Sequence, residues 1–184
     1  KKEGHGHSDA VRSLTVSCDV YFYQVGNMLG VDGITNMARR MKVMDKTGID
    51  LPRERGGFSP DEAWYDKQYG PGGWSRGASL NLSIGQGEIL MTPVELASFA
   101  ASMAAGKIPR LHLVQSMSDE EGQRPFAVDI SPRGALDVDA GALAVARRGM
   151  EEVVMGPEGT GKRARVDSVT VAGKTGSAQH SGDP

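Results

Sequence analysis

Apolar positions recur at helical spacing in two segments of the chain, residues 32–44 and residues 137–155. The apolar residues of the two stripes are Ile34, Met37, Ala38 and Met41, and Leu143, Ala146, Met150 and Val153. Each set falls on one face of a helix with 3.6 residues per turn. The spacing therefore predicts two amphipathic helices, the second of which faces a core.

Two further helices are predicted near the start of the chain by the residues at their ends. Ser8 and Asp9 can cap a helix that runs toward Val16, because their side-chain oxygens accept the free backbone N–H groups of a first turn. Residues 19–30, "DVYFYQVGNMLG", follow as the next helix. Gly30 is typical of a helix stop, since glycine adopts the left-handed conformation there without penalty.

The clearest helix start in the sequence lies in residues 91–105, "MTPVELASFAASMAA". Thr92 is placed as an N-cap, Pro93 occupies the first helical position and Glu95 completes a capping box. This combination satisfies two backbone donors at once, so we expect a helix that begins at Pro93.

Strand patterns are fewer. Residues 108–117 alternate well enough for a strand, and residues 118–125, "SDEEGQRP", are typical of a turn after it. Residues 168–178, "SVTVAGKTGSA", predict a final strand. Residues 45–79 carry little periodicity and many turn formers, which indicates an extended loop region. The mixture of elements predicts an α/β or α+β fold.

Composition narrows the function classes. The chain has 184 residues, 39% hydrophobic and 24% charged, with a formal net charge of -2 and a pI near 6.1. This is a globular composition that gives no support to a nucleic-acid surface. No apolar run approaches the roughly 18–20 residues of a membrane helix. The single cysteine, Cys18, leaves no internal disulfide.

One glycine-rich segment matches the front of a phosphate-binding loop. Residues 156–162, "GPEGTGK", fit G-x-x-x-x-G-K. That motif needs a strand before it, a helix after it and a Ser or Thr after the lysine. Here a helix precedes the segment, Arg163 follows Lys162 and a strand pattern comes next. We interpret the segment as a flexible connection.

A metal site formed by His5, His7 and Cys18 is a weak hypothesis. Structural zinc sites usually have four protein ligands, and these three residues are too few. The sequence therefore predicts no metal and no cofactor.

Two short motifs, Ser17-Cys18-Asp19 and Lys174-Thr175-Gly176, stand 157 positions apart. In this order they match two of the three elements of serine penicillin-recognising enzymes, S-x-N or S-D-N and K-T-G. With "SCDVYFYQVG", "TGIDLP", "LSIGQGEILMTPVELA" and "VAGKTGSAQ", the chain resembles the transpeptidase domain of class B penicillin-binding proteins, most of all the elongation-specific type. The similarity spans residues 17 to 179.

This resemblance implies an antiparallel sheet with packed helices and a peptidoglycan D,D-transpeptidase that β-lactams inhibit. Lys174 and the hydroxyls of Thr175 and Ser177 would bind the carboxylate of a D-Ala-D-Ala stem peptide. Gly176 would leave room for the peptide along the strand edge, and the backbone N–H of Ser177 would serve the oxyanion hole.

The resemblance also implies roles for the first motif and for the surroundings. Ser17 would relay a proton to the leaving amine, and Asp19 would accept a hydrogen bond from the donor peptide. A glycosyltransferase of the elongation machinery would be the partner, at the outer face of the cytoplasmic membrane. Some relatives hold a structural zinc beside this motif, for which His5 and Cys18 would be two ligands. "SIGQG" is interpreted as architectural, with Gln86 bonding to nearby backbone.

The chain departs from the family pattern in one respect. No serine is followed by a lysine three positions later, so the Ser-x-x-Lys nucleophile would precede Lys1. We therefore expect residues 1–184 to be the C-terminal part of one incomplete transpeptidase domain, inactive alone because a hydroxyl nucleophile needs an adjacent base. Two alternatives remain: a D,D-carboxypeptidase or β-lactamase, and a non-catalytic peptidoglycan-binding scaffold.

Overall fold

Helices dominate the computed structural model, which describes residues 4–119, 122 and 126–176. The helices are α1 Ala10–Thr15, α2 Asp19–Arg40, α3 Glu62–Tyr69, α4 Gly77–Ser83, α5 Pro93–Ala105 and α6 Ala140–Met155. The strands are β1 Lys107–Ile108, β2 Ser116–Met117, β3 Phe126–Ala127 and β4 Gly134–Ala135. This is the mixed fold with small antiparallel sheets and packed helices that the sequence predicts. In the described ranges, no helix has both the length and the apolar character to cross a bilayer.

The chain folds as two compact units. The first contains the described residues of Lys1–Thr35, Pro60–Ile89 and Val138–Pro184, and the second contains Asn36–Ser59 and Leu90–Asp137. All the residues of the candidate site below belong to the first unit.

In the first unit, α1 packs against α6. Asp9 caps α1 by accepting the N–H of Arg12 at 2.8 Å, as predicted. Gly149 of α6 faces Leu14 so closely that a Cβ atom there would lie 2.6 Å from the leucine Cδ1. Because Gly149 has no side chain, α1 and α6 can pack closely at this point. This packing holds the end of α1 in place.

The predicted break between the helices at 19–30 and 32–44 is confirmed. Gly30 interrupts α2 with φ 68° and ψ 178°, a conformation that favours glycine. The second part ends at Arg40, four residues before the predicted end at position 44.

The prediction of an extended loop over residues 45–79 is wrong, because α3 and the start of α4 lie within it. Asp61 caps α3 by accepting the N–H of Trp64 at 2.9 Å. Tyr65 is only 1% exposed and forms a core with Val31 and Leu82. These partners are distant in sequence, so this short helix is stabilised by packing that no local pattern reveals.

In the second unit, α5 begins as predicted. Thr92 and Glu95 form the capping box, and Pro93 is the first helical residue. Glu95 is 1% exposed, and its carboxylate accepts the N–H groups of Thr92 and Gly57. A single buried side chain thus caps the helix and holds a neighbouring loop.

Two short antiparallel pairs complete the second unit, β1 with β4 and β2 with β3. The predicted strand over 108–117 is wrong in its middle, since only its ends are strand residues. The Asp50 carboxylate instead accepts the N–H groups of Leu113 and Val114, at 2.7 and 2.8 Å. The predicted turn at 118–125 lies partly outside the described residues.

The predicted final strand over 168–178 is also wrong within the described residues. Val166 and Val169 form an isolated bridge, and residues 170–176 have no regular secondary structure. The N–H of Gly173 donates to the carbonyl of Met150 in α6 at 3.0 Å. The segment is therefore hydrogen-bonded to a helix, whereas the sequence pattern predicted hydrogen bonds to a neighbouring strand. Residues 177 and 178 lie outside the described residues.

Candidate active site

Ser17 stands at the corner between α1 and α2 in an uncommon backbone conformation. Its φ is 52°, in the left-handed region that few residues other than glycine adopt. The N–H of Ser17 donates to the carbonyl of Leu14, and the N–H of Cys18 donates to that of Ser13, at 3.2 and 2.9 Å. These bonds close the end of α1 and turn the chain at Ser17.

The second motif lies directly beside Ser17. The Lys174 ammonium donates to Ser17 Oγ at 2.7 Å and to the carbonyl oxygen of Thr175 at 2.9 Å. The hydroxyls of Ser17 and Thr175 are 3.2 Å apart. Two segments separated by 157 residues thus present one cation and two hydroxyls at one point.

These groups line a groove of about 760 Å³, a volume within the usual range for ligand sites. The lining residues include five of the six residues predicted for the site: Ser17, Asp19, Lys174, Thr175 and Gly176. The sixth, Ser177, lies outside the described residues.

The charges of the groove act on one another. Partial desolvation of the ammonium lowers the pKa of Lys174 below its ordinary value, although much of the side chain is exposed, and the Asp19 carboxylate opposes that change. Burial disfavours the charged form of a lysine, and a nearby carboxylate favours it. The site therefore has an ammonium whose protonation depends on its neighbours.

Gln86 and Gly87 also line the groove. Gly85 and Gly87 have φ values of 75° and 81°, in the region that favours glycine, so the glycines of "SIGQG" allow a tight turn. The N–H of Gln86 donates to the carbonyl of Asn81 at 2.9 Å. Next to this turn, the Tyr65 hydroxyl donates to the Glu88 carboxylate at 2.5 Å.

Sequence reasoning missed one side chain that touches the central groups. Thr160 lies in the segment interpreted as a flexible connection, and its hydroxyl is 3.2 Å from Ser17 Oγ and 3.0 Å from Thr175 Oγ1. A lone threonine in a glycine-rich stretch gives no local signal of this kind. The flanking Gly159 and Gly161 were the signal available, because such glycines permit a close backbone approach.

The weak metal hypothesis gains no geometric support. Where the structure describes the chain, no group of three or more His, Cys, Asp or Glu side chains is arranged to hold a metal ion. Cys18 is buried and 7% exposed, and the backbone carbonyls of His5 and His7 accept hydrogen bonds from Arg12.

Comparison with known proteins extends these findings. Peptidoglycan D,D-transpeptidase MrdA of Acinetobacter baumannii is 32% identical in an alignment of 184 positions that covers 97% of this chain and 26% of that protein. Penicillin-binding protein PBP2 of Helicobacter pylori, solved in complex with MreC, is 31% identical with a TM-score of 0.78. That alignment covers 98% of this chain and 32% of the solved chain.

A structure from a peptidoglycan synthase complex, described as coordinating polymerization and crosslinking, is also similar. It has 27% identity and a TM-score of 0.73, over 95% of this chain and 28% of that one. The chain thus spans about a quarter to a third of the length of these relatives. The family model described as the penicillin-binding protein transpeptidase domain matches residues 1–184. Because this match extends over all 184 residues, the chain belongs to the penicillin-binding protein transpeptidase family.

Proposed function

We propose that this chain is part of the transpeptidase domain of a PBP2-type peptidoglycan D,D-transpeptidase, and that its groove binds the D-Ala-D-Ala end of a stem peptide. The observation that carries the proposal is the 2.7 Å contact between the Lys174 ammonium and Ser17 Oγ in an open groove. One cation beside several hydroxyls suits a ligand whose carboxylate lies close to a scissile amide. β-Lactams carry the same two groups, so the groove would bind them as inhibitors.

Lys174 and Thr175 are the groups for the ligand carboxylate. An ammonium and a hydroxyl form charge-assisted hydrogen bonds to a carboxylate, which are about twice as strong as neutral ones. Gly176 leaves room for a ligand beside Lys174 and Thr175. A Cβ atom built at Gly176 meets no protein atom within 4 Å, so packing does not require glycine there and the open space is left for the ligand.

Ser17 is the group that handles the proton of the leaving amine. As the amide C–N bond breaks, the amine nitrogen takes the hydroxyl hydrogen of Ser17. The Ser17 oxygen takes in return the proton that the family's Ser-x-x-Lys lysine has removed from the nucleophilic serine. The Lys174 ammonium stabilises the negative charge that develops on Ser17 during this exchange, and Asp19 accepts the amide N–H of the donor peptide.

The nucleophile of this mechanism is not among the 184 residues, since none of their serines precedes a lysine by three positions. The residues of this chain would bind the substrate, orient it and manage the protons. Ser177 would add one backbone N–H to the oxyanion hole, whose removal in other enzymes slows catalysis by about 10²–10³.

The proposal also includes the cellular location of the protein and its partner. PBP2 of Helicobacter pylori forms a complex with MreC, and a similar chain comes from a peptidoglycan synthase complex. We infer that this protein works on the periplasmic face of the cytoplasmic membrane beside a glycosyltransferase of the elongation machinery. Co-purification of the complete gene product with a membrane glycosyltransferase would test this inference.

Fluorescent penicillin is the direct test of the activity. The complete gene product is incubated with the probe, and we expect a stable covalent adduct that Lys174→Met weakens. The matched control is Lys162→Met, because Lys162 lies outside the groove lining and donates to the carbonyl of Pro157. Rapid turnover of the probe would favour a carboxypeptidase or β-lactamase, and absence of any adduct would favour a non-catalytic scaffold. Either result would reject the transpeptidase assignment.

A further inference from the structure

The glycine-rich segment after α6 brings a third hydroxyl to the site. Thr160 Oγ1 lies 3.2 Å from Ser17 Oγ and 3.0 Å from Thr175 Oγ1, and the Ser17 and Thr175 hydroxyls are 3.2 Å apart. The three oxygens therefore form a triangle in which every pair is within hydrogen-bonding distance. The Lys174 ammonium donates to two corners of this triangle, to Ser17 Oγ at 2.7 Å and to Thr175 Oγ1 at 3.4 Å.

Thr160 is held in this place by its backbone. Its N–H donates to the carbonyl of Thr15 at 3.3 Å, and the N–H of Gly161 donates to the carbonyl of Val153 at 2.8 Å. Gly159 approaches α6 so closely that a Cβ atom would lie 2.2 Å from the Val153 carbonyl oxygen. The segment is thus fixed on α6 at one point and on the end of α1 at another. The hydroxyl position follows from those anchors.

The hydrogens of the triangle can be assigned from the proposed chemistry. Thr175 uses its hydroxyl hydrogen for the ligand carboxylate, and Ser17 uses its own for the leaving amine. Each hydroxyl has one hydrogen and two lone pairs. Lys174 donates to one lone pair of Ser17, which leaves the second lone pair of Ser17 for the hydrogen of Thr160.

We propose that Thr160 is a positioning residue that acts through Ser17: its hydroxyl donates to Ser17 Oγ at 3.2 Å, in addition to the donation from Lys174. This inference rests on the proposed transpeptidase function. With both lone pairs occupied, the Ser17 hydrogen is directed toward the groove and the leaving amine. Its departure exposes a third lone pair on the oxygen, which takes the proton from the Ser-x-x-Lys lysine. The second donor also stabilises the charge that grows on the Ser17 oxygen as its hydrogen departs. No proton leaves Thr160.

The role predicts a dependence on the leaving group. An amide or β-lactam nitrogen must be protonated as it leaves, whereas the thiolate of an activated thioester needs no proton. Loss of the Thr160 hydroxyl should therefore slow the first class of reaction and spare the second. A general disturbance of the groove would slow both classes equally.

The test compares the wild-type complete gene product with Thr160→Val and Thr160→Ser, using fluorescent penicillin and a D-alanyl thioester as probes. Thr160→Val keeps the shape of the side chain and removes its hydroxyl, while Thr160→Ser keeps the hydroxyl. We expect Thr160→Val to acylate about tenfold more slowly with penicillin, as the loss of one hydrogen bond to a developing charge implies. Its rate with the thioester should stay within about twofold of wild type, and Thr160→Ser should restore the penicillin rate.

Three results would overturn the assignment: an unchanged penicillin rate in Thr160→Val, an equal slowing with both probes, or a Thr160→Ser variant as slow as Thr160→Val. Both rates are referred to the folded fraction of each variant, measured separately by its unfolding transition, so partial unfolding of a variant does not mimic any of these results. A wild-type protein that penicillin does not label would instead reject the proposed function, and with it the basis of this inference.

Discussion

Replacing Lys174 with methionine removes the ammonium of the groove while it keeps a side chain of similar length. The ammonium has two consequences in the structure. It donates to Ser17 Oγ at 2.7 Å, and it puts a positive charge where we propose that the ligand carboxylate binds. The acylation rate with one ligand reports both effects together. To separate them, the carboxylate of the ligand has to be changed as well as Lys174.

The magnitude follows from the charge separation. Two unit charges about 4 Å apart attract by roughly 4 kcal/mol at an effective dielectric constant of about 20. The groove is open and the Lys174 residue is exposed, so we halve this value to about 2 kcal/mol because solvent screens the pair. That energy corresponds to a factor of about 30 in the acylation rate.

The assay measures second-order acylation by a penicillin and by its carboxamide, each in competition with the fluorescent probe. Lys174→Met should slow the acid about 30-fold more than it slows the carboxamide, because only the acid loses a charge pair. Lys162→Met should slow neither. If Lys174→Met slows the acid and the carboxamide by the same factor, the ammonium does not bind the carboxylate and the reasoning is refuted.

Three other changes have defined outcomes. Asp19→Asn removes a charge that raises the pKa of Lys174, so the alkaline limb of the acylation rate should move to lower pH. A limb that moves to higher pH would contradict this sign. Glu95→Ala leaves two N–H groups without their buried acceptor and should reduce the unfolding free energy by roughly 2–5 kcal/mol, measured by thermal or urea unfolding. A loss below about 1 kcal/mol would show that water replaces the carboxylate. Gly149→Ala should destabilise by about 1–3 kcal/mol, since the added Cβ would lie 2.6 Å from a leucine of α1. Gly134→Ala, whose Cβ would meet no atom within 4 Å, is the matched control and should leave the melting temperature unchanged.

The starts of α1 and α5 and the break in α2 were predictable because their signals are local. The Thr92 and Glu95 capping box and the Asp9 cap involve residues three positions apart or fewer, and Gly30 breaks α2 where its own backbone preference requires. Such features are present in any short stretch of sequence. The Asp9 cap fixes the start of α1, the helix that leads to Ser17.

The errors have one common cause, which is contact between residues distant in sequence. The short helix α3 is stabilised by a core that joins Tyr65 to Leu82, and the middle of the 108–117 segment gives its N–H groups to Asp50. No periodicity encodes such partners.

The two halves of the site were related by resemblance alone. The separation of 157 positions in the sequence does not predict a contact between Ser17 and Lys174. In the structure, the Lys174 ammonium lies 2.7 Å from Ser17 Oγ. Thr160 was missed because its contribution depends on the packing of Gly159 and Gly161 on α6.

The left-handed backbone conformation at Ser17 limits which amino acids can replace this serine without strain. Threonine would supply the same hydroxyl, but its branched Cβ makes a positive φ strongly unfavourable. Asparagine or glycine would accept the backbone and forfeit the hydroxyl. If the groove has the proposed function, substitutions selected by β-lactams should therefore leave codon 17 unchanged.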